Sequence, residues 1–283
     1  MTIDFHTHVF PPEIKKKRSK YIEQDPCFAI LYSNPEAKMA TADELIASMD
    51  EAGIDISVIL NIGWTTHELC VETNDYIIDS VSRYPQRLVG FCSVQPNSPQ
   101  AAIAEIERCA KAGIKGVGEM RPDIQMFDLG DEMVMAPLVK VLEKHQLILL
   151  LHASEPVGHD YPGKGGITPD ILYPFIASFP DLTIVCAHWG GGLPFYALMP
   201  EVKKAMGNVY FDTAASPLLY TPQVYERVIP LVGGDKILFG SDHPLLAQGR
   251  LLKDIEALDL PEETKNLILS GNARRLLGIK GEP

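Results

Sequence analysis

Eight short apolar runs punctuate the chain, and each gives way to a longer amphipathic or irregular stretch. They are Ile3–Val9, Ile54–Asn61, Leu88–Val94, Gly116–Met120, Leu147–His152, Leu182–His188, Val209–Thr213 and Ile237–Asp242. Several are nearly continuous hydrophobics, such as Leu147-Ile-Leu-Leu-Leu151. A strand covered on one face alternates apolar with polar residues, whereas a parallel strand covered on both faces reads as an unbroken run. The intervening segments carry helix signals. Thr41-Ala-Asp-Glu44 has the pattern of a capping box ahead of Leu45, Ile46 and Met49, and Gly53 closes that helix. Ser98-Pro99, Thr168-Pro169 and Thr221-Pro222 each pair a capping hydroxyl with a proline at the first helical position. Gly113 and Gly233 mark helix ends. Eight strand–helix alternations without a composition break predict a (β/α)8 TIM barrel, with a doubly wound open sheet as the alternative. At 283 residues and 46% apolar content, the chain is expected to form it as a single domain over 1–283.

Two connections are long, 10–40 after the first run and 153–167 after the fifth. Both follow strand C-termini, the rim where a barrel builds its site, and long loops there are candidate lids. The formal net charge of −12 comes with no basic stripe, which argues against nucleic acid or an anionic membrane as partner. The one basic run, Lys15-Lys16-Lys17-Arg18, reads as a solvated segment. No apolar run approaches the roughly 20 residues that span a bilayer, and no signal peptide precedes Ile3. Five cysteines without a CxxC, with Cys92 and Cys186 inside apolar runs, suit small core residues in a reducing cytoplasm.

The polar residues at the ends of these runs carry the chemistry. His6 and His8 lie two apart on a strand and so point the same way. His152 ends the fifth run, His188 the sixth and Asp242 the eighth, so four strands deliver ligand-competent side chains to one rim. Imidazole with carboxylate suits Zn²⁺ first, with Mn²⁺, Fe²⁺, Co²⁺ or Ni²⁺ as alternatives. Glu119 ends the fourth run and is open to three roles: ligand to a second metal, base toward substrate, or ion-pair partner of Arg121. Arg121 is either a bidentate partner for a substrate carboxylate or a salt-bridge partner of Asp123, Asp128 or Glu119. His159, Tyr161 and Lys164 in the second long loop, and Trp64 and His67 after the second run, are candidates for the pocket wall. His243 is expected to pack behind the barrel, because neighbouring strand residues face opposite ways. His145 precedes the fifth run, at the far rim. Ser154 and Ser241 show no triad pattern, which argues against serine hydrolysis.

Taken together, Asp4-Phe-His6-Thr-His8, His152 after an apolar run, Ala187-His188-Trp-Gly-Gly191 and Gly240-Ser-Asp242-His-Pro244 resemble the amidohydrolase superfamily. The chain is most similar to its amidohydrolase-2 group, to which aminocarboxymuconate-semialdehyde decarboxylase is related. Asn74-Asp75, Tyr84-Pro85-Gln86-Arg87, Gly90-Phe91 and Gly271-Asn-Ala-Arg-Arg-Leu-Leu-Gly278 extend the resemblance over nearly the whole chain. The resemblance implies that His6, His8 and His152 hold one divalent metal, with Asp242 as a further ligand or a neighbour of the metal-bound water. It implies that His188 polarises substrate or shuttles a proton, and that the protein is a homodimer.

A bound Zn²⁺ can bring water to a pKa of about 7, with Asp242 taking the proton and His188 serving as acid. The expectation is therefore hydrolysis of a small carboxylate- or carbonyl-bearing molecule at an amide, lactone or ester bond. Non-oxidative decarboxylation of a small unsaturated or aromatic acid is the alternative, since the ligand set is common to both. A barrel that binds metal and ligand without turnover is a third reading, against which the full complement of His6, His8, His152, His188 and Asp242 speaks.

Overall fold

The computed structural model describes residues 1–280. Its strands are β1 (Ile3–His8), β2 (Ile56–Leu60), β3 (Leu88–Cys92), β4 (Gly116–Met120), β5 (Ile148–Leu151), β6 (Ile184–Cys186), β7 (Val209–Asp212) and β8 (Ile237–Leu238). They pair in chain order, every neighbour parallel. The seam between β8 and β1 is closed by single bonds: Phe5 N–H to the Phe239 carbonyl, Asp242 N–H to that of His6 and His8 N–H to that of His243. This is the (β/α)8 barrel, and the open-sheet alternative falls.

The outer helices are α1 (Ala42–Ala52), α2 (His67–Arg83), α3 (Pro99–Lys111), α4 (Glu132–Lys144), α5 (Pro169–Ser178), α6 (Pro200–Ala205), α7 (Gln223–Val232) and α8 (Gln248–Glu256). The capping box forms at Thr41 and Glu44, and Gly53 closes α1 in the left-handed conformation with φ of 72°. Three caps differ from expectation: Ser98 and Thr168 stand at the N-caps of α3 and α5 but their hydroxyls make no cap bond, and α7 begins at Gln223 with Pro222 as its N-cap, one residue later than Thr221-Pro222 suggested. No described helix is long and apolar enough to cross a membrane.

Two apolar layers hold the barrel. Ile3, Phe5, Val58, Phe91, Leu150, Val185 and Leu238 fill its interior, while Ile59, Val117, Leu149, Ile184 and Phe211 join the helices outside. The alternation breaks at two places. Between Asp4 and Thr7, three steps along β1 match two along β2, and between Val117 and Met120, three steps along β4 match two along β5. Each shift inserts one extra residue, and the stretches concerned carry His6 and Glu119. Register breaks of this kind re-aim side chains next to active sites.

The strands are shorter than their apolar runs. His6 lies inside β1, His152 just past β5, His188 in the turn after β6, and Asp242 beyond β8. The 10–40 segment is not a bare loop: it folds into short helices Pro12–Lys16, Arg18–Gln24 and Pro26–Tyr32. Two of these start on proline, where the missing N–H costs nothing. They bury Phe10, Phe28 and Tyr32 against Trp64, whose ring stacks on Phe28 at 5.5 Å. All five cysteines are buried thiols.

Candidate metal and catalytic site

His6 enters from the break in β1. Its Nδ1 donates to Asp212 Oδ2 at 2.8 Å, which fixes the tautomer and leaves Nε2 with a lone pair. That lone pair faces His8 Nε2 at 3.0 Å. Asp242 Oδ1 lies 3.8 Å from His6 Nε2 and 3.4 Å from His8 Nε2, and Glu119 Oε2 lies 3.9 Å and 3.6 Å from the same pair. Asp242 reaches in because its own backbone is left-handed, with φ of 64°. Ligands about 2.1 Å from a common ion stand roughly 3.0–3.4 Å apart when adjacent. The two imidazoles meet this spacing, and the carboxylates, 3.4–3.9 Å from them, lie within about half an ångström of it, so the set fits one divalent cation after a small inward shift. Three carboxylates, of Asp212, Glu119 and Asp242, face these imidazoles, and a cation bound between them would compensate that charge.

Glu119 turns its other oxygen toward two more histidines. Oε1 lies 2.7 Å from His152 Nδ1 and 3.3 Å from His188 Nε2. The shorter contact has the length of a charge-assisted hydrogen bond, and the donor atoms of Glu119, His152 and His188 also lie close enough together to hold an ion. His152 Nε2 faces Ser154 Oγ at 3.1 Å, and that oxygen also accepts from Gly165 N–H at 2.8 Å. The consistent assignment puts the His152 proton on Nδ1, with Ser154 donating to Nε2. Ser154, His152 and Glu119 thus line up like a hydrolase triad that the sequence did not suggest. Ser154 is fully buried under Gly165, however, and has no access to a substrate. His188 Nδ1 faces the Ala214 carbonyl at 3.2 Å and must carry a hydrogen there, since a carbonyl only accepts.

Burial penalises charge on each of these groups, and their partners decide the outcome. On His6, without an ion, Asp212 overcomes burial and lifts the pKa to about 10; an ion bound to Nε2 would take the place of this proton. On His188, Glu119 does the same, to about 9. On His152, burial and then Arg121 win, and its pKa falls to about 4. Burial is outweighed on Asp242 by His8, His6 and His188, which hold it at about 2. Glu119 is pulled well below the usual carboxylate range against its burial, chiefly by His152 and His188.

Above this floor lies a cavity of about 560 Å³. His8, Glu119, His152, His188 and Asp242 line its base, and Leu31, Tyr32, Ile62, Leu218, Leu219 and Leu245 its walls. Arg121 also lines it. The guanidinium is buried, donates to the Gly163 carbonyl at 2.8 Å, lies 3.5 Å from Asp123 Oδ2, and leaves Nε without a partner. Of the ion-pair partners considered from sequence, only Asp123 is within reach among the described residues. His159 and Tyr161 stand at the outer wall with rings 5.5 Å apart.

Other candidates lie elsewhere. Trp64 is fully buried in the aromatic cluster and does not line the cavity, so it supports the wall from behind. Lys164 donates to the carbonyls of Val157 and His159, tying its own loop together. His67 opens α2, and His145 caps α4 near Glu107. Two residues of the site went unnoticed in the sequence. Asp212 ends β7 as other ligands end their strands, a signal that was present. Asp4 accepts from Ser241 N–H at 2.9 Å and from Ser241 Oγ and Gln248, holding the turn that carries Asp242. Burial, against those bonds, raises its pKa to about 6.

Known proteins of similar sequence and structure bear on the chemistry. A 2-amino-3-carboxymuconate-6-semialdehyde decarboxylase from Dictyostelium discoideum is 23% identical over 99% of this chain and 92% of its own. A 6-methylsalicylic acid decarboxylase from Penicillium expansum is 25% identical over 97% of this chain and 95% of its own. The crystal structure of 5-carboxyvanillate decarboxylase from Novosphingobium aromaticivorans, complexed with manganese and 4-hydroxy-3-methoxy-5-nitrobenzoic acid, superposes with a TM-score of 0.81 at 20% identity, covering 99% of this chain and 96% of that one. These relatives overturn the expectation of hydrolysis: the sequence relatives that match almost end to end are decarboxylases. The physical reason for the error is that metal, carboxylate and imidazole can serve either bond cleavage, so the ligand set alone does not choose. Residues 3–279 match the family model described as amidohydrolase, and the chain belongs to that family.

Proposed function

We propose that the protein is a divalent-metal-dependent, non-oxidative decarboxylase of a small aromatic or unsaturated carboxylic acid. The observation that carries this reading is the placement of His188. Its Nδ1 is held on the Ala214 carbonyl, and its Nε2 is aimed at the cavity floor, 3.3 Å from Glu119 Oε1. A proton on Nε2 is what a decarboxylation needs. The substrate carbon gains that proton, the bond from this carbon to the carboxylate breaks, and its electron pair stays with the carbon as CO₂ leaves. Solvent then reprotonates the imidazole.

His6, His8, Asp242 and Glu119 are the residues we assign to the metal. When bound there, the ion supplies Lewis acidity toward substrate oxygens. The mixed imidazole–carboxylate set suits Mn²⁺ as well as the Zn²⁺ expected from sequence. His152, a ligand by the resemblance, stands 2.7 Å from Glu119 and orients it, and with Glu119 and His188 it forms a second set of donors close enough together to hold an ion. Arg121, with Nε free, takes a substrate carboxylate, and His159 closes the outer end. The buried thiols support a reducing cytoplasm. The exposed apolar side chains Phe195, Leu198, Met199 and Leu218 support a homodimer.

The test is a product assay. Protein loaded with Mn²⁺ or Zn²⁺ is incubated with a panel of hydroxybenzoates and unsaturated dicarboxylates, alongside lactones and esters. We expect CO₂ and the descarboxy product in equal amounts, abolished by chelation and restored by metal. Cleavage of a lactone or ester, or addition of water with no CO₂, would overturn the assignment.

A further inference from the structure

We propose that Asp212 is a positioning residue that makes one rigid unit of a metal ligand and the proton donor. It stands at the end of β7, fully buried, and spends both oxygens on the site. Oδ2 accepts from His6 Nδ1 at 2.8 Å. Oδ1 accepts from His188 N–H at 2.9 Å and from Ala214 N–H at 3.0 Å. Ala214 in turn offers its carbonyl to His188 Nδ1 at 3.2 Å. One carboxylate therefore sets the tautomer of His6, anchors the backbone of His188 and fixes the residue that orients the His188 ring.

The turn that Asp212 holds needs holding. His188 and Trp189 are both left-handed, with φ of 56° and 58°, and the glycines at 190, 191 and 192 continue the positive φ run. Non-glycine residues leave that region unless something retains them. Asp212 holds the His188 N–H, the Ala214 carbonyl and Glu119 hold the His188 ring, and Ser216 Oγ accepts from Trp189 Nε1 at 2.8 Å. Of these, Asp212 alone joins the His188 backbone to a metal ligand, His6.

A buried carboxylate that satisfies backbone N–H groups can be purely structural, and the test separates the two roles. Asp212→Asn is isosteric and keeps an oxygen for His188 and Ala214. Its amide, however, presents a donor to His6 Nδ1, which moves the ring proton to Nε2 and takes away the lone pair aimed at the metal. The His188 role rests on the decarboxylase reading; the metal role does not, so metal affinity is the primary measurement.

By competition with a chromophoric chelator, Asp212→Asn should bind Zn²⁺ or Mn²⁺ roughly 10–100-fold more weakly. At saturating metal, kcat should fall while KM stays within about twofold, as for an interaction made only in the transition state. Metal affinity within about twofold of wild type overturns the proposal. If affinity falls but neither wild type nor variant releases CO₂, Asp212 stands and the reaction assignment fails. Should the variant not fold, zinc-loaded wild type labelled with ¹⁵N-histidine provides the second measurement. Long-range ¹H–¹⁵N spectra must show a metal-bound imidazole whose Nδ1–H is shifted downfield by a carboxylate; its absence refutes the assignment.

Discussion

His152 and His188 share one carboxylate oxygen, and their surroundings drive them apart. Burial and Arg121 press His152 down to about 4, whereas Glu119 overcomes burial at His188 and lifts it to about 9. Neighbouring titratable groups pushed to opposite sides of neutrality commonly divide donor and acceptor roles. His188→Ala should therefore lower kcat by about 10²–10⁴-fold, the usual contribution of a positioned acid. Metal content measured by elemental analysis should stay at wild-type level, and loss of the metal would instead make His188 a ligand. At this scale the sequence was partly legible. His6, His8, His188 and Asp242 could be found because each sits at the end of an apolar run. The tautomer of His6 could not, because its partner Asp212 lies 206 residues away and nothing local marks the pairing. Trp64 misled for a related reason: a tryptophan after a strand can face a pocket or a core, and the aromatic partners that decide it, Phe10 and Phe28, come from a different segment.

Among the elements, strand identity was easy to read and strand register was not. Unbroken apolar runs mark β2 and β5 plainly. The extra residues in β1 and β4 leave no trace in composition, because a period of two read from sequence assumes that the alternation never slips. The 10–40 segment hid its helices because each is shorter than two full heptads, too little for a periodic face to emerge. Between α2 and α3 lies a second buried polar device. Asn74 donates to Glu105 Oε1 at 2.7 Å and to the Ser93 carbonyl at 2.8 Å, and Arg108 grips Glu105 from the surface. Burial pushes the Glu105 carboxyl up, but Arg108 and Asn74 outweigh it, and its pKa lies below the ordinary 4.5. A carboxylate lowered on folding contributes stability above its unfolded pKa, and that contribution is lost as pH falls through the folded value. Glu105→Gln should thus cost about 1–3 kcal/mol near neutrality. Urea unfolding at pH 7 and again below pH 4 would show the gap between the two proteins closing in acid. A gap of equal size at both would mean that the carboxylate is not paired as described.

For the molecule as a whole, the arrangement of the donors ties metal to fold. His6 and His8 belong to β1, Glu119 to β4, and Asp242 to the segment after β8, so an ion held between them spans the seam of the barrel. Anything that binds the folded state alone stabilises it in proportion to saturation, by about 4 kcal/mol at a thousandfold excess over Kd. Melting curves with metal and with chelator should therefore differ by several degrees, and coincident curves would place the ion elsewhere. Barrel architecture was readable from the chain because eight runs repeat, but closure was not. Among the described residues, single backbone bonds and Asp4 make the hydrogen-bonded join between the last strand and the first, and Asp4 looks like any acidic residue beside a histidine motif. That seam also sets a timetable. Asp4 and His6 are made before Ser241 and Asp242, which complete their work more than two hundred residues later. Every chain that lacks Ser241 and Asp242 therefore carries half of a clasp and is short of one of the four donors we assign to the metal.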